Sequence, residues 1–292
     1  MTESILSPLR IRQARPRVGH ISYLNCAPLL WGLARTGKLM DIDLVKGTPD
    51  VLGYEILEGR LDISPVSLSE FLQHREFLVP LSEIAIGSDG PVMSCVIVSK
   101  VPLEELNGAR VALGSESRTS IRLAQLVLGE MVGVRAEYFN CKPDLESMLD
   151  SASAAVLIGD AALRAATLAP VRSGLTVHDL GQIWREWTGH PFVFAVIAAR
   201  REFAAQAPDL VSEVHRALVE ARDLALSEID EVSQRIARWE DFDAELLRRY
   251  YTRALKYDLG DRQYAGIAEF ASRIGLPSNL DDRVPLDLSW SI

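Results

Sequence analysis

The stretch Arg17-Val18-Gly19-His20-Ile21-Ser22-Tyr23-Leu24-Asn25-Cys26-Ala27-Pro28-Leu29-Leu30-Trp31 constrains the fold more than any other. Val18 to Ser22 reads as a short buried strand and Tyr23-Leu24-Asn25 as the turn that ends it. Pro28 belongs to the first turn of a helix, where a missing N–H is tolerated. A strand that runs straight into a helix N-terminus leaves backbone N–H groups and the positive end of the helix dipole at one point. Such a point suits a carboxylate, and Ser22 and Asn25 set side-chain hydrogen-bonding groups beside it. Either residue alone also reads as a helix cap, since Ser and Asn are favoured there.

The design recurs. Asp62-Ile63-Ser64-Pro65-Val66-Ser67 ends a strand and starts a helix. Gly90-Pro91-Val92-Met93-Ser94 is a polar turn before the apolar run Cys95 to Val98. Gly114-Ser115-Glu116-Ser117-Arg118-Thr119-Ser120 separates the strand Val111 to Leu113 from a helix starting near Ile121. Val156-Leu157-Ile158-Gly159-Asp160 is a strand followed by the helix from Ala161. Ligands of open α/β sheets bind at the carboxyl ends of strands. Five such ends, lined with Ser, Asn, Asp or Gly, are expected to converge on one small anionic molecule.

Between these points the alternation continues, with helices Pro28 to Arg35, Val51 to Glu58 and Ser67 to His74. Strands are expected near Ile42 to Val45, Leu61 to Ser64, Phe77 to Val79, Ile84 to Ile86 and Cys95 to Ser99. Such βα units predict a mostly parallel sheet with helices on both faces. Pro102 to Gly108 breaks the series, which restarts at Arg110 and runs to the strand Ala154 to Ile158. The apolar run Phe192 to Ala198 is long enough to cross back. Beyond Arg201 the chain is nearly all helix, with Leu210, Val214, Ala217, Leu218, Ala221, Leu224 and Ala225 forming one buried stripe. Trp239, Tyr250, Tyr251, Tyr257 and Phe270 read as core and docking residues. The expected fold class is α/β, with two lobes and a ligand cleft between them. Residues 1–99 begin lobe one, 100–193 form an inserted lobe two, and 194–292 return to lobe one. Crossings near Ser99–Val101 and Phe192–Ala198 would act as a hinge.

At 292 residues and 48% hydrophobic content the chain can bury a sizeable core. Its net charge of −9 argues against nucleic acid or an anionic membrane surface as the main partner, though not against a small anion held by local dipoles. Three cysteines without a CxxC pair, and five histidines without ligand spacing, point to a reducing cytoplasm and no structural metal site. Met1 to Pro16 carries Arg10, Arg12 and Arg15 but no apolar h-region, so a loosely attached arm is expected rather than a secretory signal. No apolar run approaches the length of a membrane span.

Several motifs, in order, carry a family resemblance. They are Val18-Gly19-His20-Ile21-Ser22-Tyr23-Leu24-Asn25, Ser88-Asp89-Gly90-Pro91-Val92-Met93-Ser94, Ser117-Arg118-Thr119-Ser120 and Leu157-Ile158-Gly159-Asp160-Ala161-Ala162-Leu163. Trp184-Arg185-Glu186-Trp187-Thr188-Gly189-His190-Pro191-Phe192-Val193-Phe194 and Tyr257-Asp258-Leu259-Gly260 complete the set. Together they resemble the chorismate dehydratases of the futalosine route to menaquinone, over nearly the whole chain after the leader. The resemblance implies the type II periplasmic-binding-protein fold. A sister family, the 1,4-dihydroxy-6-naphthoate synthases, is less similar: it carries a His-Glu pair where this chain has Gly159-Asp160.

The same resemblance implies loss of water from chorismate to give 3-[(1-carboxyvinyl)oxy]benzoate, without metal or organic cofactor. Asn25 and Ser94 would be the catalytic pair. Ser22, Tyr23, Ser67, Gly159 and Asp160 join Ser117, Arg118, Thr119 and Ser120 as substrate-binding candidates. Ser117, Thr119 and Ser120, with the N–H groups of the following helix, suit a carboxylate. Arg118 reads either as a bidentate carboxylate partner or as a solvated first-turn residue. Ser64 is a weaker candidate. The proton acceptor stays open between Asp160, Glu116, His20 and the substrate's own enolpyruvyl carboxylate. A cytoplasmic solute-binding or sensor protein for an aromatic carboxylate is the competing reading. Oligomeric state is not legible.

Overall fold

Each run of alternating strands and helices closes into its own sheet. The computed structural model describes residues 14–114, 117–168 and 174–277. The first sheet takes strands β1 (Arg17–Ile21), β2 (Asp43–Gly47), β3 (Ile63–Ser67) and β4 (Leu78–Ser88). The second takes β5 (Cys95–Ser99), β6 (Arg110–Gly114), β7 (Glu137–Cys141), β8 (Ala154–Ile158) and β9 (Thr176–Asp179). The chain then returns to the first sheet through β10 (Phe192–Arg200). The strand orders are β2-β1-β3-β10-β4 and β7-β6-β8-β5-β9.

Three helices connect the first strands: α1 (Ala27–Arg35), α2 (Pro49–Leu57) and α3 (Leu68–Gln73). The second lobe contributes α4 (Arg118–Leu126), α5 (Leu145–Ser151), α6 (Gly159–Leu168) and α7 (Leu180–Thr188). After β10 come α8 (Arg201–Gln206), α9 (Pro208–Ser227), α10 (Ile229–Ala237), α11 (Ala244–Arg249) and α12 (Asp261–Arg273). The long helix α9 buries Val211, Val214, Ala217, Leu218, Ala221 and Ala225, close to the expected stripe, while Leu210 and Leu224 stay half-buried. It packs on α1 so closely that a Cβ on Gly32 would lie 2.0 Å from the Ala221 carbonyl oxygen. Glycine is therefore required at that crossing.

Four expectations are corrected. The sheets are not mostly parallel. In each, two strand pairs are parallel and two antiparallel, because β10 runs against β3 and β4, and β5 runs against β8 and β9. The boundary at residue 99 falls too late, since β5 already pairs in the second sheet, and the crossings lie at residues 89–94 and 189–191. Trp239 is 80% exposed rather than a core residue, whereas Tyr250, Tyr251, Tyr257 and Phe270 are buried. The strands expected at Phe77 to Val79 and Ile84 to Ile86 are one strand, β4, with Glu83 in a left-handed turn (φ +64°) where the register with β10 shifts.

The apolar core positions the site. One layer, including Val18, Leu33, Ile63, Ile197 and Val214, lies under α1 and α9. Another, including Val98, Ala112, Met148 and Leu157, lies on the outer side of the second sheet. The third runs without a break from Ile21 and Ile86 of the first lobe to Leu113, Leu123 and Ile158 of the second. The facing sides of the two lobes thus share one packed interior.

Of the expected leader, residues 1–13 lie outside the described residues. Pro16 is buried and its carbonyl accepts the Asp43 N–H at 2.9 Å, so the chain is anchored from there. Among the described residues no helix is long and apolar enough to cross a membrane.

Candidate functional site

A small cavity of about 40 Å³, open at one side, lies between the lobes at the carboxyl ends of β1, β3 and β8 and the start of β5. Tyr23, Asn25 and Ser67 line it from the first lobe, and Ser94, Ser117, Ser120 and Gly159 from the second. The apolar wall consists of Ile21, Pro49, Ile86, Val92, Cys95, Ile158, Phe194, Ala195 and Leu255. Lining by hydroxyls, one amide and apolar side chains, with no cationic side chain among them, is a surface for a largely apolar ring carrying a few polar groups. Any carboxylate there must be met by hydroxyls and by helix N-terminal N–H groups.

The cap reading of these residues is answered by the local geometry. Ser67 and Ser117 occupy the positions before α3 and α4, yet neither side chain makes a capping hydrogen bond. The residue before α1 is Cys26, not Asn25, and it too makes none. Asn25 sits in a single 3-10 turn, Leu24–Cys26, between β1 and α1. Its side-chain Oδ1 is buried and has no hydrogen-bond partner within the protein. A buried carbonyl oxygen left unpaired costs free energy, so a cavity-lining one is an acceptor suited to a ligand's hydroxyl. The Ser94 hydroxyl makes a long bond, 3.4 Å, to the Val92 carbonyl and lies beside the Tyr250 phenol.

Buried titratable groups surround the cavity. Burial pushes the Cys95 thiol up to about 12, against the hydrogen bond from Ser120, so it stays a neutral wall residue. Burial likewise carries the Tyr250 phenol well above the ordinary range, with the Ser94 hydroxyl opposing. No group of three or more His, Cys, Asp or Glu side chains among the described residues could hold a metal ion.

Of the nine substrate-binding candidates, four fall outside the lining. Ser22 is exposed, and its N–H extends the β1–β2 pairing to the Gly47 carbonyl at 3.0 Å. The other three tie the lobes together. Thr119 Oγ1 accepts the Ser69 N–H at 2.9 Å, Arg118 pairs with Glu70 at 3.0 Å, and Asp160 Oδ1 accepts the Leu24 N–H at 2.9 Å. Gly159 does both jobs. It lines the cavity, and at φ +58° it packs so tightly on Tyr23 that a Cβ would lie 2.8 Å from the ring. Ser64 is buried and donates to the Pro65 carbonyl, away from the cavity. His20 is buried in β1, does not line the cavity, and is held neutral, with its pKa lowered to about 4 by burial and by Lys46. Glu116 lies outside the described residues. Sequence reasoning missed Phe194 and Leu255, which belong to the returning strand and the C-terminal segment. Phe194 closes the tryptophan-rich motif quoted above, and Leu255 lies two residues before Tyr257-Asp258-Leu259-Gly260, so proximity to motifs was the available signal.

Residues 16–275 match a family described as menaquinone biosynthesis. A chorismate dehydratase of Thermus thermophilus is 34% identical over 276 residues, covering 90% of this chain and 97% of that protein. A 1,4-dihydroxy-6-naphtoate synthase of the same organism is 31% identical over 147 residues, about half of each chain. Among solved structures, the periplasmic aliphatic sulphonate binding protein of Escherichia coli superposes with a TM-score of 0.62 at 17% identity, covering 89% of this chain and 91% of that one. The fold is therefore that of the periplasmic binding proteins.

Proposed function

The chain belongs to the menaquinone-biosynthesis family, and on that premise we propose that it is an enzyme converting chorismate to 3-[(1-carboxyvinyl)oxy]benzoate and water, a hydro-lyase. The observation that carries this reading is the near full-length likeness to a chorismate dehydratase. The cavity supports it, because its lining draws on five of the motifs by which the sequence resembles that family.

The chemistry is modest. The ring proton on the carbon bearing the enol ether leaves, its electron pair enters the ring, and the neighbouring hydroxyl departs as water. The ring becomes aromatic, which drives the step forward. The site has to hold a dianion, orient it and route one proton. In the proposed arrangement the apolar wall takes the ring, and Ser117, Ser120 and the N-terminus of α4 take a carboxylate. Asn25 Oδ1 accepts from the ring hydroxyl, and Ser94 hydrogen-bonds the reacting part of the substrate. Asp160 is engaged by the Leu24 N–H, and neither it nor His20 lines the cavity. This favours the substrate's own enolpyruvyl carboxylate as proton acceptor, with positioning supplying much of the acceleration.

The competing reading, a binding or sensor protein for an aromatic carboxylate, differs in outcome. Incubation with chorismate, followed by ultraviolet absorption and product mass, separates them. Conversion to a product lighter by one water supports the enzyme; chorismate that is bound but unchanged refutes it.

A further inference from the structure

Tyr257 is buried at 3% exposure, and its role is not exhausted by packing. Its phenol donates to the backbone carbonyl of Asn25 at 2.7 Å, across 232 residues of sequence. The tyrosine is itself clamped. Its carbonyl accepts the Ala85 N–H at 3.0 Å, and the preceding Lys256 pairs with Gly87 of β4 in both directions at 2.8 Å. The turn Leu24–Cys26 is thus held from three sides. Asp160 of the second lobe takes the Leu24 N–H, Tyr257 takes the Asn25 carbonyl, and the Tyr23 carbonyl takes the Cys26 N–H at 3.0 Å. The Asn25 side-chain oxygen is left without a partner, and that side chain lines the cavity.

We propose that Tyr257 is a positioning residue, which fixes the Asn25 peptide so that the Asn25 carboxamide faces the reacting centre. This rests on the functional reading above. A one-turn 3-10 segment has too few hydrogen bonds of its own to hold a side chain within the half-ångström that a reacting group requires. An external donor on a rigid sheet edge supplies what is missing. Burial keeps that donor protonated, since it carries the phenol well above the ordinary tyrosine range.

Tyr257→Phe removes the hydroxyl and keeps the ring. Misplacement of a reacting group by about an ångström costs up to a hundred-fold, so kcat on chorismate should fall roughly ten- to a hundred-fold with KM within about twofold. In an Asn25→Ala background the same change should cost nothing further. Tyr251→Phe, which removes a buried hydroxyl without a hydrogen-bond partner, should leave kcat within about twofold. A second readout needs no substrate. In protein labelled at asparagine, the side-chain amide signal lost in Asn25→Ala should shift or broaden in Tyr257→Phe and not in Tyr251→Phe. Losses that add in the two backgrounds, or an Asn25 amide signal unmoved by Tyr257→Phe, would overturn the proposal. If the wild-type protein leaves chorismate intact, the functional reading falls and the amide signal alone decides the positioning.

Discussion

Gly159→Ala tests whether the contact of the lobes at Tyr23 governs the site. Two costs are separable. The first is backbone strain, since φ is +58° there and an alanine in the left-handed region costs roughly 1–2 kcal/mol. The second is a clash across the lobe boundary. The new Cβ would lie 2.8 Å from Tyr23 Cδ2 and 2.9 Å from Cε2 and Cγ. Ordinary contact begins near 3.4 Å, so ring and helix must part by about 0.6 Å, and overpacking of this kind costs roughly 1–3 kcal/mol. The same parting would stretch the neighbouring Leu24–Asp160 bond from 2.9 Å to about 3.5 Å, past the useful range. Gly133→Ala is the control: its φ is +82° and nothing lies within 4 Å of the added Cβ. Thermal unfolding and chorismate turnover are measured for both. Gly133→Ala should cost about 1–2 kcal/mol and leave turnover within about twofold. Gly159→Ala should cost about 2–5 kcal/mol and lower turnover at least tenfold, because the displaced turn carries Asn25. Equal behaviour of the two variants in both assays would refute the reasoning.

Two further outcomes are expected. Arg118→Gln breaks an ion pair whose arginine side chain is 62% exposed, so it should cost under about 1 kcal/mol and change turnover less than about fivefold; a hundred-fold loss would instead make Arg118 a carboxylate clamp. His20 ionises at about 4 in the fold against an ordinary 6.5, so the unfolded chain takes up its proton first as the pH falls. Its stabilisation is complete above pH 6.5 and declines towards pH 4, by about 3 kcal/mol in all. Urea unfolding at pH 7 and pH 4.5 should show a smaller acid loss in His20→Gln by about 2–3 kcal/mol, and equal losses in the two proteins would contradict this.

The strand-end logic found much of the cavity because it depends on local chemistry. A hydroxyl or amide where a strand turns into a helix is exposed to whatever the sheet's carboxyl edge faces, and Asn25, Ser67, Ser94, Ser117 and Ser120 all line the cavity. Arg118, Thr119 and Asp160, nominated by the same logic, lie outside the lining for a related reason. The carboxyl edge of one sheet also faces the other lobe, and how the two sheets sit together is a matter of long-range packing. Sheet membership was illegible in the same way: the apolar run Cys95 to Ser99 pairs as well with a preceding sheet as with a following one until its partners β8 and β9 are known. In β4 the polar pair Ser82-Glu83 mimics a turn, and only the pairing with β10 reveals a bulge within one strand. Elements β9 and α7 were not anticipated, although Asp179 caps α7 by accepting the Gln182 N–H at 3.0 Å. Asp179 also accepts the N–H groups of Val92 and Met93, which ties that cap to the turn carrying Ser94.

The most direct measurement of the central claim sets turnover of chorismate against melting temperature in Asn25→Ala, Ser94→Ala and Asp160→Asn. Neither Asn25 nor Ser94 caps a helix or fills the core, so each truncation should cost no more than about 1 kcal/mol of stability. Loss of one preorganised hydrogen-bonding group at a reacting centre should lower the rate roughly a hundred- to a thousand-fold. Asp160→Asn keeps an oxygen for the Leu24 N–H and should retain substantial activity if the substrate supplies its own base. Near-normal turnover in both Asn25→Ala and Ser94→Ala would contradict the site, and collapse in Asp160→Asn alone would transfer the proton to Asp160.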